Sequence, residues 1–169
     1  MANNIGGTNL ILYIKQKVFS LTDSYNVFDE NLQPVYRVES EFLSFLSKIH
    51  LYDMYDNELF FIKKKLTFMF AEYEIYNGEL LCAEVKQEFS FFRPRLTVTS
   101  SYGNFDIQGE FFDMDFDVIC NGALLGRISK EWMTIGDSYK LEVANDKDAA
   151  FFTALTIAID NCLHNGNKN

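Results

Sequence analysis

The sequence is poor in proline, in histidine and in positive charge. Two prolines and two histidines occur in 169 residues, and 15 Lys and Arg stand against 24 Asp and Glu, for a net charge of -9. That balance argues against general nucleic-acid binding, which needs a basic face to displace phosphate counterions. It also weakens simple electrostatic adhesion to anionic lipid. The two histidines, His50 and His164, cannot build a three-histidine metal centre. Neither a phosphate loop nor a dinucleotide fingerprint is present. "IGDSY" around Ser138 lacks the flanking glycines of a nucleophile elbow. Cys82, Cys120 and Cys162 are widely spaced with no CxxC pair, which reads as reduced thiols in a cytoplasmic protein. Cys162 and His164, two apart on a predicted helix, diverge by about 200°. No catalytic and no cofactor-binding residue emerges, and an enzyme is the most distant reading.

What is abundant is aromatic. Seventeen Phe and nine Tyr favour strands. Residues 1–8 read as a flexible leader, and the apolar run Leu10–Ile14 is too short for a signal-peptide core. The rest, 9–165, reads as one domain, with no linker, charge block or low-complexity segment to divide it.

Self-comparison exposes six copies of one unit, beginning at Ile14, Val38, Ile62, Val85, Ile107 and Ile128. The fourth position of each is charged: Lys17, Glu41, Lys65, Glu88, Glu110, Glu131. The fifth is large and apolar: Val18, Phe42, Leu66, Phe89, Phe111, Trp132. After a short break an alternating apolar pair follows, as in Tyr25-x-Val27, Tyr73-x-Ile75 and Tyr139-x-Leu141. Each unit is therefore two strands and a connection. The joints between units carry turn residues such as Asp56-Asn57, Asn77-Gly78 and Asn121-Gly122. The third positions, Gln16, Ser40, Lys64, Gln87, Gly109 and Lys130, would face inward under strict alternation. Either a bulge resets the register there or the inside is partly polar, and bulges are the expectation.

Twelve short antiparallel strands tend to curl or close, and a closed barrel of that width needs a filling. The chain supplies one: "AAFFTALTIAIDNCL", Ala149 to Leu163, after an acidic Asp146-Lys147-Asp148 lead. Fifteen residues span roughly 22 Å, short of the ~30 Å hydrocarbon layer. Thr153, Thr156, Asp160 and His164 form a polar stripe, and Asp160 would be costly in lipid. The expected fold is mainly β: a closed twelve-stranded antiparallel barrel around a central hydrophobic helix at about 147–164, with no transmembrane segment.

Several words carry a resemblance, in order along the chain: "LYIKQKVFSLTDSYNVFDENLQPVYRVES", "LYDMYDNELFFIKKKL", "AEVKQEFSFFRPR", "ISKEWMTIGDSYKLEV" and "TALTIAIDNCLH". They resemble the LURP-one-related family, in a bacterial version, within the tubby C-terminal-like superfamily. The relatives are tubby domains, which bind phosphoinositide headgroups through basic residues, and phospholipid scramblases, associated with calcium and lipid. The resemblance implies the plugged-barrel topology. It implies no established reaction, and no tubby headgroup ligand transfers residue by residue.

Three constellations are candidate sites. Lys15, Lys17, Lys63, Lys65 and Lys86 would line one outer stripe if neighbouring units align, and an anionic headgroup would suit it. Asp113, Asp115 and Asp117 share a strand face as a candidate cation site, or serve as a solvated outer surface. A flat row spaced about 6.5–7 Å cannot wrap one ion without a loop. Asp146 and Asp148 stand where scramblases carry an acidic segment, so calcium is conceivable; an acidic first helical turn accounts for them more simply. The expectation is a non-catalytic binding module engaging lipid headgroups or another amphiphile, in peripheral contact with membrane. The alternative is a protein–protein adaptor or structural domain without a small ligand.

Overall fold

The computed structural model describes residues 9–15, 24–41, 46–88, 95–110, 113–133 and 136–164. Expectations for the leader 1–8, for Gln16 and Lys17, and for the apolar positions Val18, Phe42, Phe89 and Phe111 fall outside them. The twelve strands are β1 (Leu10–Lys15), β2 (Ser24–Asp29), β3 (Pro34–Ser40), β4 (Lys48–Asp53), β5 (Glu58–Lys64) and β6 (Glu72–Asn77), followed by β7 (Leu80–Glu88), β8 (Arg95–Ser100), β9 (Gly103–Glu110), β10 (Asp115–Cys120), β11 (Ala123–Met133) and β12 (Gly136–Val143). Each pairs antiparallel with its sequence neighbours, and β1 pairs with β12 from Leu10↔Val143 to Lys15↔Ser138, closing the barrel. The repeat is thereby explained: each unit is one odd and one even strand.

The joints between units all lie at one end, here called the joint end. Side-chain chemistry shapes them. Asp29 Oδ1 accepts from the backbone N–H of Asn31 and Gln33, both at 2.8 Å. Asp53 Oδ1 does the same for Tyr55 and Asn57. At Asn121–Gly122 both φ values are positive, 50° and 79°, as a two-residue type I′ turn requires. Bulges follow four of these turns, at Val27/Phe28, Leu51/Tyr52, Ile75/Tyr76 and Val118/Ile119.

No bulge occurs at the described third positions of the repeat, contrary to expectation. Ser40 pairs with Ile49, Lys64 with Tyr73, Gln87 with Leu96 and Lys130 with Tyr139, all without a register shift. Gly109 pairs with Phe116 in the same way, at a φ of +129° where a Cβ would lie 2.6 Å from the Asp115 carbonyl. Extra residues belong beside tight turns, where added twist helps the chain reverse. These positions are at the opposite end, called here the mouth end, so there the inner wall is partly polar.

α1 (Ala149–His164) fills the barrel after a single 3-10 turn, Asp146–Asp148, in which the Asn145 side chain accepts from Lys147 N–H. β12 runs toward the joint end, so the helix enters there and threads back to the mouth. Phe151 packs on Tyr102 of the β8–β9 joint at 4.6 Å, and the Cys162 thiol donates to Ala71 O between β5 and β6. Every residue from Phe151 to Cys162 is buried. The helix lies nearest β5–β7 and β12. Toward β9–β11 large rings fill the space: Phe105, Phe116 and Phe152. Gly126 leaves room for the Phe152 ring, which sits 3.3 Å from where a Cβ would stand. Thr153 and Thr156 return their hydroxyls to Ala149 O and Phe152 O, both at 2.8 Å, and Asn161 donates to Ile157 O. The two threonines of the polar stripe are thus satisfied by the helix itself. Asp160 reaches the wall, accepting from the Tyr139 hydroxyl at 2.6 Å. Among the described residues no helix is long and apolar enough to cross a membrane.

Ile159, with no exposed surface, should cost about 2–5 kcal/mol when cut to Ala, measured by urea unfolding. A second expectation concerns alkali. Burial first and the Asp160 charge next raise the hydroxyl pKa values of Tyr25 and Tyr139 above the usual 10.0. Burial pushes the Cys162 thiol up to about 12 from 9.0, against a lowering by the Gln87 backbone. The folded chain holds these protons more tightly than the unfolded one. Their contribution is therefore complete below the unfolded values and is lost as pH climbs toward the folded ones. Melting temperature should fall from about pH 9 upward, and Cys162→Ala should make the decline shallower.

Candidate functional site

The mouth end combines features that occur nowhere else among the described residues. Lys64, Gln87 and Lys130 stand in inward register there, Lys64 across from buried Tyr73 and Lys130 across from buried Tyr139. The Lys64 charge reaches the Cys162 thiol at the helix end. β11 carries its inward row out to the mouth end of the strand. Ile128 is 1% exposed, Lys130 is exposed, and Trp132 is 84% exposed. Lys130, Glu131, Trp132, Asp137 and the buried Ser138 border a cavity of about 330 Å³. An ammonium and an indole in one inward row suit a ligand with a charged polar head and an apolar body. Two carboxylates at the rim add attraction for a cationic portion.

On the opposite side of the same rim lies the β5–β6 connection. Its base is zipped by Lys65 N–H to Glu72 O at 2.8 Å and by Gln87 N–H to Ala71 O at 3.0 Å. The Thr67 hydroxyl donates to Phe70 O, fixing a compact turn. That turn presents Leu66 at 77%, Phe68 at 102% and Met69 at 77% exposure. Leaving such side chains in water forgoes roughly 1.5–3 kcal/mol apiece, which the fold gains nothing by doing. The joint end also exposes apolar groups, among them Tyr55, Leu80 and Tyr102. Those are separated by Asp, Asn and Glu and are ordinary scattered exposure.

The expected lysine stripe is only partly assembled. Lys63 and Lys65 point outward beside each other, and Lys86 sits in register with Glu72 two strands on. Lys15 is on β1, four strands from β5, roughly 19 Å around the wall at ~4.8 Å per strand. Lys63 pairs with Glu74 at 3.2 Å, and Lys65 pairs with Glu72, Glu74 and Glu84. The bond to Glu72, then that to Glu84, holds the Lys65 ammonium above its usual pKa despite some desolvation. The stripe is a lattice of alternating charge. A neighbouring lattice on β3–β5 places His50 between Glu41 and Glu58, at 3.2 and 2.6 Å, stacked on Phe61.

The carboxylate candidates fare similarly. Asp115 and Asp117 face outward on β10, with Arg127 of β11 at 3.8 and 3.5 Å. Asp113 lies before the strand, on the turn at Met114, and is exposed. Asp146 and Asp148 lie in the 3-10 turn ahead of the helix. Among the described residues no group of three or more His, Cys, Asp or Glu is placed to hold a metal ion. His50 is on the outer face, between Glu41 and Glu58.

The LURP-one-related family model matches residues 10–160. The chain belongs to the LURP-one-related family. It is 30% identical over 154 residues to the uncharacterised protein YxjI of Bacillus subtilis, covering 91% of this chain and 94% of that one. Its fold is similar to the crystal structure of an Arabidopsis thaliana protein, with a TM-score of 0.65, 15% identity and 90% of each chain covered. The sequence relative and the structural neighbour each cover about nine-tenths of this chain.

Two features of this family member escape sequence reading. Bulges are the sequence expectation at Lys64 and Lys130, and Leu66 and Trp132 read only as the large apolar fifth position of their units. The signal is present in the repeat: a polar third position followed by an apolar fifth at the strand end. Since Leu66, Phe68 and Met69 touch so little, their combined replacement by Ser should shift unfolding free energy by only about 0.5 kcal/mol per site. Urea titration beside Ile159→Ala checks this.

Proposed function

We propose that this LURP-one-related barrel is a non-catalytic binding module whose mouth end takes an amphiphile, a lipid headgroup with its chain being the class that suits it. The observation that carries the reading is β11's inward row. Lys130 and Trp132 are in inward register yet stand in solvent, and they border a cavity of about 330 Å³. An anionic group on the ligand pairs with Lys130, while Trp132 covers its apolar part. The outer lysines are a poorer seat, since each anion there must displace Glu72, Glu74 or Glu84. The barrel interior offers no room, because Phe151 to Cys162 occupy it. No cofactor enters this reading. Under it the protein works in the cytoplasm, a compartment that the free thiols of Cys82, Cys120 and Cys162 support.

Trp132 is the single tryptophan, so emission reports on this site alone. Titration with lysophosphatidylcholine below its micelle concentration should shift the emission to the blue and saturate. Lys130→Ala should weaken binding about fivefold or more, the scale of one exposed charge-assisted contact. An emission spectrum indifferent to saturating amphiphile would refute the reading.

A further inference from the structure

The turn between β5 and β6 is unexplained by the cavity, which lies across the rim from it. We propose that this turn docks the barrel, mouth end first, onto a membrane surface of neutral or zwitterionic lipid, with Leu66, Phe68 and Met69 entering the interface and Trp132 touching it on the far side. The proposal builds on the mouth-end reading by naming the surface that meets the bilayer.

Four observations select a bilayer as the occupant. First, the turn is preformed: the Thr67–Phe70 bond and the backbone bonds at its base hold it without help from its own apolar groups. Ordering cost on docking is therefore small. Second, among the described residues the area is small for a protein. Three side chains of this size offer on the order of 500 Å², whereas a specific protein interface buries about 800 Å² per partner. Third, the apolar groups are split. The turn joins β5 to β6, and Trp132 ends β11, five strands away around the ring from β6. A flat interface meets both at once; a compact partner must bridge the mouth. An indole at one edge and Phe, Leu and Met at the other match the depth preferences of a headgroup boundary.

Fourth, the charge pattern sets the lipid. The chain carries -9, and the lysines behind the turn are committed: Lys65 to Glu72, Glu74 and Glu84, and Lys63 to Glu74. Attraction to an anionic surface is therefore cancelled locally and opposed globally. Docking driven by apolar insertion follows, and it should be insensitive to salt.

The full chain is to be floated with phosphatidylcholine vesicles, and in parallel with vesicles holding phosphatidylserine. Wild type should float with phosphatidylcholine, equally in low and high salt, and no better with phosphatidylserine. Combined Leu66→Ser, Phe68→Ser and Met69→Ser should reduce the bound fraction at least about tenfold while circular dichroism and unfolding stay unchanged. The single variant Phe68→Ser should fall between. Equal flotation of triple variant and wild type overturns the proposal, as does flotation that phosphatidylserine enhances and salt abolishes. A lipid-free dimer that the triple variant dissolves also overturns it, making the turn a self-association surface. Monomeric lysophosphatidylcholine binding, read at Trp132, should persist in the triple variant. Its absence from wild type would count against the cavity reading, leaving flotation to judge the turn.

Discussion

Closing twelve strands leaves a lumen that their own side chains cannot fill, and everything else in this molecule answers that vacancy. A barrel of eight strands packs its interior from the wall; one of twelve needs a filling. α1 is that filling, buried from Phe151 to Cys162 on every face. The dependence is mutual. The helix is too apolar to stand in water, and the sheet would collapse or gape without it. The composition follows: β-branched and aromatic residues on the inner wall, small and large residues fitted where the helix comes near or stands off, and a glycine at 126 where Phe152 presses outward.

The fold was largely legible because two periodicities reinforced each other. Alternation within strands and repetition between units agree on twelve antiparallel strands, and turn residues such as Asn121 and Gly122 mark where one unit ends. The helix was legible from length and composition together, as Asp160 sits where lipid would punish it. What escaped was the third dimension of the mouth. Lys64 and Lys130 looked like register errors because alternation says which way a side chain points and nothing about how far the plug extends. Lys15 and Lys63 looked like neighbours because they occupy equivalent positions in their units. Equivalence in a repeat places residues at the same height on the wall, at different points of the ring.

Charge on the outer wall is organised rather than merely solvating. Lys63, Lys65, Glu72, Glu74 and Glu84 interlock across three strand positions, His50 bridges two glutamates, and Arg127 spans two aspartates. Individually such exposed pairs contribute little. Collectively they leave no uncommitted basic face in this region, so the sides of the barrel are unattractive to anions and the ends differ sharply. One end is stitched with short polar turns. The other, among the described residues, has lysine in inward register and apolar groups at the edge. A closed barrel also has no free sheet edge, and recognition by strand addition is therefore denied to it.

The seam between β1 and β12 has a consequence for biogenesis. Leu10 pairs with Val143, so the first strand made by the ribosome waits, with one edge unsatisfied, until the twelfth has emerged. The lumen is meanwhile unoccupied, because α1 follows β12 in the chain. Hairpins between consecutive strands can form as they appear, yet the seam and the filling arrive together and last. Such long-range closure is slow relative to local pairing, and a half-built sheet with exposed apolar inner face is a target for aggregation and for chaperones. Synthesis of this molecule is thus a race between translation of its final segment and the sticking together of its unfinished ones.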